Sequence, residues 1–178
     1  MNVSNILIRC GYITPSKLQT KDWRKAQKWY KGGKSNECEL HQRHLIEVIT
    51  EKPCVKTSTR INLRSMSLED VRFPMKRPDG FDYTEDFDGR QGNIYYNLKI
   101  ICDKGGAQTR SLREVYHFVE AQIKLNSQSK YFVNILDGDC SYSSMKHFNY
   151  LLDKYDQPNN IFVGDMCQFR EWHQLRIE

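Results

Sequence analysis

The feature that most constrains this chain is a pair of alternating runs joined by a turn at its centre. FDYTEDFD (81–88) alternates aromatic and polar residues, GRQGN (89–93) carries turn chemistry, and IYYNLKIICD (94–103) alternates again. Side chains on an extended strand change face at every residue, so alternation on both sides of a glycine-containing turn predicts a β-hairpin. On its first strand Phe81, Tyr83, Glu85 and Phe87 share one face, and Asp82, Thr84, Asp86 and Asp88 share the other. On its second strand Tyr96, Leu98, Ile100 and Cys102 form an apolar face, opposite Tyr95, Asn97, Lys99, Ile101 and Asp103. If the apolar faces pack on one core, Asp86 and Asp88 fall on the same side as Asn97 and Lys99.

The flanking segments read as helices and buried strands. Residues 15–30 contain no breaker after Pro15, and Gly32-Gly33 stops them, which predicts one basic helix. Residues 36–51 place Leu40, His44, Leu45, Val48 and Ile49 at helical spacing. Asn36 is the expected N-cap there, with Glu39 three residues on as a capping box. KTSTRINLRS (56–65) is polar and strand-like, an edge strand or a loop, and Pro74 and Pro78 punctuate the stretch between it and the hairpin. GGAQTR reads as a loop before a helix opened by Ser111 and Glu114, with Leu112, Val115, Tyr116, Val119 and Ile123 as its apolar stripe. YFVNIL (131–136) and IFVGDM (161–166) read as buried strands, with a helix at 143–155 between them. Helix, helix, hairpin, helix, strand, helix, strand is the order of an α/β sandwich with a mixed sheet.

Composition excludes several classes. A chain of 178 residues suits one domain, 1–178. No apolar run approaches the ~20 residues of a membrane span. MNVSNILIRCGY lacks a long apolar stretch, so no signal peptide is read. Cys10, Cys38, Cys54, Cys102, Cys140 and Cys167 are scattered, without a CxxC pair. That pattern is expected of reduced thiols in a cytoplasmic protein. The net charge of +5 is a mild basic excess. It concentrates between Lys17 and Lys34, where Lys21, Arg24, Lys25 and Lys28 interleave with Trp23, Trp29 and Tyr30. A basic, aromatic segment of this kind suits the phosphate backbone of a nucleic acid, although a solvated face over inward tryptophans has the same pattern.

The hairpin carries the chemistry. Asp86 and Asp88 opposite Asn97 and Lys99 are a natural holder for Mg²⁺, which takes hard oxygen ligands and keeps several waters. A phosphodiester needs a cation to polarise its phosphoryl oxygen and to acidify an attacking water. A lysine can orient that water and offset the charge that grows. Asn97 offers only a neutral carbonyl oxygen. The plain alternative is a solvated face with cross-strand ion pairs.

P78-D79, followed by N97-L98-K99 on a hairpin strand and then a helix and a strand, resembles the PD-(D/E)XK nuclease superfamily, to which many type II restriction endonucleases belong. The resemblance spans roughly residues 37–140, and TEDFDG with KGGAQTRSLREVY also looks like restriction enzymes. It implies an αβα sandwich with a central mixed β-sheet, with an N-terminal basic helical part at 1–52 and a catalytic core at about 53–166. It also implies Mg²⁺-dependent, site-specific hydrolysis of double-stranded DNA, with homodimerisation as one way to cut both strands. The catalytic set it implies is Asp88, Asp86, Asn97 and Lys99. The metal carboxylate is Asp88, then Asp86, with Asp79 as the fallback. Asn97 departs from the family's acidic residue, which leaves room for a catalytically silent nucleic-acid-binding module. A metal-dependent RNA endonuclease is a third alternative.

Gln108, Arg110 and Arg113 near a helix start are candidates for a phosphate or a base edge, beside Lys21, Arg24, Lys25 and Lys28. Some family members contribute an extra carboxylate from the helix here placed at 36–51; for Glu39 and Glu47 surface solvation is the favoured reading. Cys38, His41 and His44 are a conceivable zinc set, but three-residue spacing walks around a helix. Asp137 and Asp139 read as a strand-end turn, with a second acidic cluster as the alternative.

Overall fold

The computed structural model describes residues 13–32, 36–70, 84–103 and 106–177; Pro78 and Asp79 lie outside the described residues. Ser16–Leu18 form a single 3-10 turn and α1 spans only Lys21–Lys25, so the continuous helix expected over 15–30 is not formed. Gln19 breaks it. This residue is 4% exposed, its Nε2 donates to the Thr14 carbonyl at 2.8 Å, and its Oε1 accepts from the Gly138 amide at 2.8 Å. Those bonds tie the N-terminal segment to the loop after β6 (Tyr131–Asp137) and turn the chain out of helical register. Thr20 then starts α1 by accepting from the Trp23 amide at 3.1 Å, a cap contributing about 1 kcal/mol.

α2 spans Glu37–Thr50. Asn36 does not cap it. The residue sits at φ 80, and its side chain makes no capping bond because a capping residue must be extended. β1 (Thr59–Asn62) pairs antiparallel with both β2 (Ser67–Asp70) and β3 (Thr84–Asp86). It is therefore an inner strand rather than an edge, and Ile61 on it is fully buried.

The second sheet runs β4 (Gly89–Gln91), β5 (Ile94–Ile100), β6 and β7 (Ile161–Gly164). β4 and β5 are antiparallel around a turn at Gly92, whose φ of +56 suits glycine. β5, β6 and β7 are parallel, so this sheet is mixed. α3 (Gly106–Leu125) starts ahead of the expected Ser111, and α4 (Asp139–Lys154) starts ahead of residue 143. α5 (Met166–Ile177) has no counterpart among the elements expected. Gly138 lets β6 pass under the end of β5: at φ +99, a Cβ there would meet the Ile101 carbonyl oxygen at 2.1 Å.

Helices cover both faces of the mixed sheet, as α/β architecture requires. On one face Tyr95, Phe132 and Leu136 pack with Val115, Phe118 and Val119 of α3 and Phe148 and Leu151 of α4. On the other, Tyr96, Leu98, Val133 and Ile135 pack with Leu45 and Ile46 of α2 and Met166 and Phe169 of α5. The polar face expected on β5 is thus interior. Among the described residues no helix is long and apolar enough to cross a membrane.

Candidate active site at the bend between β3 and β4

The first strand of the expected hairpin does not stay in one sheet. Extending the register Gly89↔Tyr96 would place Asp86 opposite Lys99, but Asp86 pairs with Arg60 on β1. The chain changes partner at Phe87 and Asp88. Phe87 is 2% exposed and turns into the α3 face, with its ring 4.8 Å from Phe118 and 5.5 Å from Phe132. Its amide still donates to Thr59 of β1, whereas the next amide, of Asp88, donates to the Tyr96 carbonyl of β5 at 2.8 Å. Burying Phe87 supplies the pull, and the strand kinks to allow it.

Asp88 is held by its neighbours at the kink. Its Oδ2 accepts from the Leu98 amide at 2.8 Å, taking the place of a ladder carbonyl. Its own carbonyl accepts from Arg43 Nη1 at 2.9 Å. Burial raises the carboxyl to about 6; Lys99 pulls it down, Glu39 pushes it up, and the Leu98 amide and Arg43 pull it down. Asp88, Lys99 and Glu39 therefore share one electrostatic neighbourhood, contributed by the kink, β5 and α2.

Asp88 lines a groove of 440 Å³ with Asp86, Glu39, Arg43, Lys56 and Arg60. Its chemistry mixes carboxylates with cations, as expected where a cation and a polyanion meet. Among the described residues no three His, Cys, Asp or Glu side chains form a ready-made metal cage. A pair of carboxylates still suits Mg²⁺, which is commonly held by one or two of them with waters and substrate phosphate. A carboxyl raised by burial and by a like charge is the kind of group that a divalent cation relieves.

Asn97 does not join this groove, which corrects the expectation that it offers an oxygen beside Lys99. It is 2% exposed, and its Nδ2 donates to Asn134 Oδ1 at 3.0 Å. Asn134 and Gln122 of α3 exchange bonds of 2.7 and 2.9 Å, and Asn134 also donates to the Phe162 carbonyl. In this amide cluster Asn97 locks β5 to β6 beneath α3.

Glu39, Gln42, Arg43 and Ile46 share one face of α2, at helical spacing. Ile46 is fully buried, and that stripe carries the three polar residues towards the strands. Gln42 Nε2 donates to the Lys99 carbonyl at 3.0 Å and to Asp137 Oδ2 at 2.9 Å. Asp137 Oδ1 accepts from Ser16 and from the Met166 amide at the start of α5, so Asp137 is an interior clamp rather than a turn residue. Glu47 caps the loop instead, its Oε1 accepting from the Cys54 amide at 2.9 Å. Sequence reasoning favoured solvation for Glu39 and did not single out Gln42, Arg43, Lys56 or Arg60; for the α2 residues the signal was the stripe continuing into Ile46.

The remaining candidates are spread out. Lys21 pairs with Asp103 at 2.9 Å, and the Arg24 guanidinium lies over Tyr30 at 5.3 Å. Lys25 and Lys28 are exposed. Trp29 stacks on His41 at 4.5 Å and 12°, which anchors this segment to the half of α2 that carries Glu39. The Cys38, His41 and His44 set is not a metal centre among the described residues. Burial, then His44, pulls the His41 imidazole down to about 4. Gln108 and Arg110 fall in the first turns of α3, and Arg113 is exposed on the same helix. Comparison with known protein families, with curated proteins and with solved structures returns no match.

Proposed function

We propose that this chain is a Mg²⁺-dependent endodeoxyribonuclease of the PD-(D/E)XK kind, acting on double-stranded DNA as type II restriction enzymes do. The observation that carries the reading is Asp88, set at a strand kink and coupled electrostatically to Lys99 and Glu39. Asp88 and Glu39 are the residues that would hold the cation. When bound, Mg²⁺ supplies Lewis acidity at the phosphoryl oxygen and a more acidic water. In the reaction a water oxygen joins phosphorus, one P–O ester bond breaks, and a proton ends on the departing oxygen. Lys99 orients the water and offsets negative charge as it grows. Arg43, Lys56 and Arg60 hold the phosphodiester against the groove. Two copies of the chain, one per strand, would make a double-strand break.

One observation favours a second reading, a nucleic-acid-binding module without catalysis: Asn97 is committed to the interior amide cluster. Incubation of supercoiled plasmid with the protein and Mg²⁺ separates the two. Nuclease activity converts the plasmid to nicked or linear forms, stops with EDTA, and is lost in Lys99→Ala while plasmid retention persists. Cleavage that survives in Lys99→Ala removes the site assigned to Asp88 and Lys99, and retention without nicking removes the nuclease reading and supports the module.

A further inference from the structure

A larger cavity, of 690 Å³, lies between α3 and α4 beyond the end of β5. Arg113 and Tyr116 of α3 line it, facing Ser144, His147, Phe148 and Tyr150 of α4. Each set recurs at helical spacing, so each helix offers one continuous face. Phe148, 1% exposed, belongs to its buried side, and Tyr150, 67% exposed, to its rim. The Tyr116 and Phe148 rings meet at 6.1 Å on its buried side, and His147 and Tyr150 continue its wall beside Leu112 and Ser143.

The charge at the mouth is one-sided. Asp103 also lines the cavity, and Lys21 neutralises it at 2.9 Å. Arg113 makes no hydrogen bond or ion pair with another described residue. Aromatic walls with one free guanidinium select a planar ring that carries an anion: the ring stacks, and the guanidinium takes the anion through its planar fork of donors. Clefts of about 300–1,000 Å³ are typical of small-molecule sites, so this one has room for a base, a sugar and a phosphate. Asp103 comes four residues after Lys99, so the mouth is within about 14 Å of Lys99 along the chain.

We infer that this cavity binds a nucleoside monophosphate unit, with its base against the rings of Tyr116, His147 and Tyr150 and its phosphate on Arg113. As an unstacked nucleotide of a bound strand the unit would deepen the nuclease reading, on which that part rests; a free mononucleotide presents the same chemistry. Extruded bases are commonly read by stacking in such pockets.

The test monitors the His147 imidazole resonances by NMR in EDTA, so that it needs no cleavage. Deoxyadenosine monophosphate should shift them with a dissociation constant of about 1 mM or tighter. Deoxyadenosine alone and inorganic phosphate alone should bind at least about tenfold more weakly, and Arg113→Gln should weaken the nucleotide about tenfold. Ser144→Trp, which fills the cavity, should abolish the shift. In a further arm, a single-stranded oligodeoxynucleotide that shifts His147 and is displaced by the mononucleotide assigns the site to a strand. A shift with the mononucleotide alone assigns it to free nucleotide. No shift by the mononucleotide at about 10 mM, or equal binding by Arg113→Gln, overturns the inference. Plasmid cleavage is scored separately. Cleavage with no nucleotide binding here removes only the cavity, and nucleotide binding with no cleavage removes only the nuclease reading.

Discussion

The side-chain amide of Gln42 donates to Asp137 Oδ2 at 2.9 Å, and both residues are closed to solvent. The other hydrogen of that amide reaches the Lys99 carbonyl, so one residue pins α2 to the ends of β5 and β6. On the same helical face Arg43 bonds the Asp88 carbonyl, and Glu39 lines the groove with Asp88. Gln42→Leu leaves a buried carboxylate oxygen and a carbonyl without that donor. It should cost about 1–3 kcal/mol in urea unfolding and lower cleavage beyond what the lost stability explains. Full activity in a destabilised Gln42→Leu protein would separate the clamp from the site.

Asp137 makes stability depend on pH in the less common direction. Burial raises its carboxyl to about 6, against the opposing pull of Gln42, Met166 and Ser16. Its folded value therefore exceeds the unfolded value of about 3.9. Between those two values the folded state binds more protons, so this group's contribution to stability is largest below about 4 and declines as pH rises through about 6. The stability of the wild type relative to Asp137→Asn should shrink from pH 4 to pH 7, read by thermal melting at both. A constant difference would mean that the carboxyl is not raised.

The same sign governs the candidate site. Asp88 is raised to about 6, so the carboxylate that would hold a cation forms only as pH passes that value, and cleavage should climb across it. Glu39 is among the causes that raise it. In Glu39→Gln the midpoint of the pH–rate profile should move down while the Mg²⁺ concentration needed for half-maximal rate rises several-fold. A midpoint that stays in place would show that Glu39 and Asp88 act independently.

Asn97→Asp introduces the acidic residue usual at this position of the resembled motif, yet it should not raise cleavage. Asn97 Nδ2 faces Asn134 Oδ1, and Asn134 cannot flip without losing its bonds to Gln122 and Phe162. A carboxylate there would meet another acceptor in the interior, at about 2–4 kcal/mol of stability. A lower melting temperature with no gain in cleavage is expected, and a more active, equally stable Asn97→Asp would place that side chain in the groove.

Much of the architecture was legible because period-two runs are local. IYYNLKIICD became β5 from its expected start but ends three residues early, at Ile100, and YFVNIL became β6 with one residue more, Asp137. The kink was not legible, because alternation assumes a straight strand, and it was the burial of Phe87 against Phe118 and Phe132 that bent it. That single bend moved Asp86 to β1 and left Asp88 near Lys99. The break at Gln19 and the clamp at Asp137 depend on partners far along the chain, with Ser16 and Asp137 separated by 121 residues. Helix periodicity carries no sign of such pairings. The stripe Glu39, Gln42, Arg43, Ile46 was visible in the sequence, but its polar members read equally well as a solvated face until the strands beside it were in place.

The most direct measurement is an Mg²⁺ titration of the full chain, monitored at the carboxyl carbons of Asp88 and Glu39 by NMR near pH 6.5. Millimolar Mg²⁺ should shift both resonances together and draw the Asp88 midpoint below about 6, and Asp88→Asn should abolish the shift at Glu39. Carboxyl signals at Asp88 and Glu39 that ignore Mg²⁺, in protein that is folded and retains DNA, would contradict a cation held between the strand kink and α2.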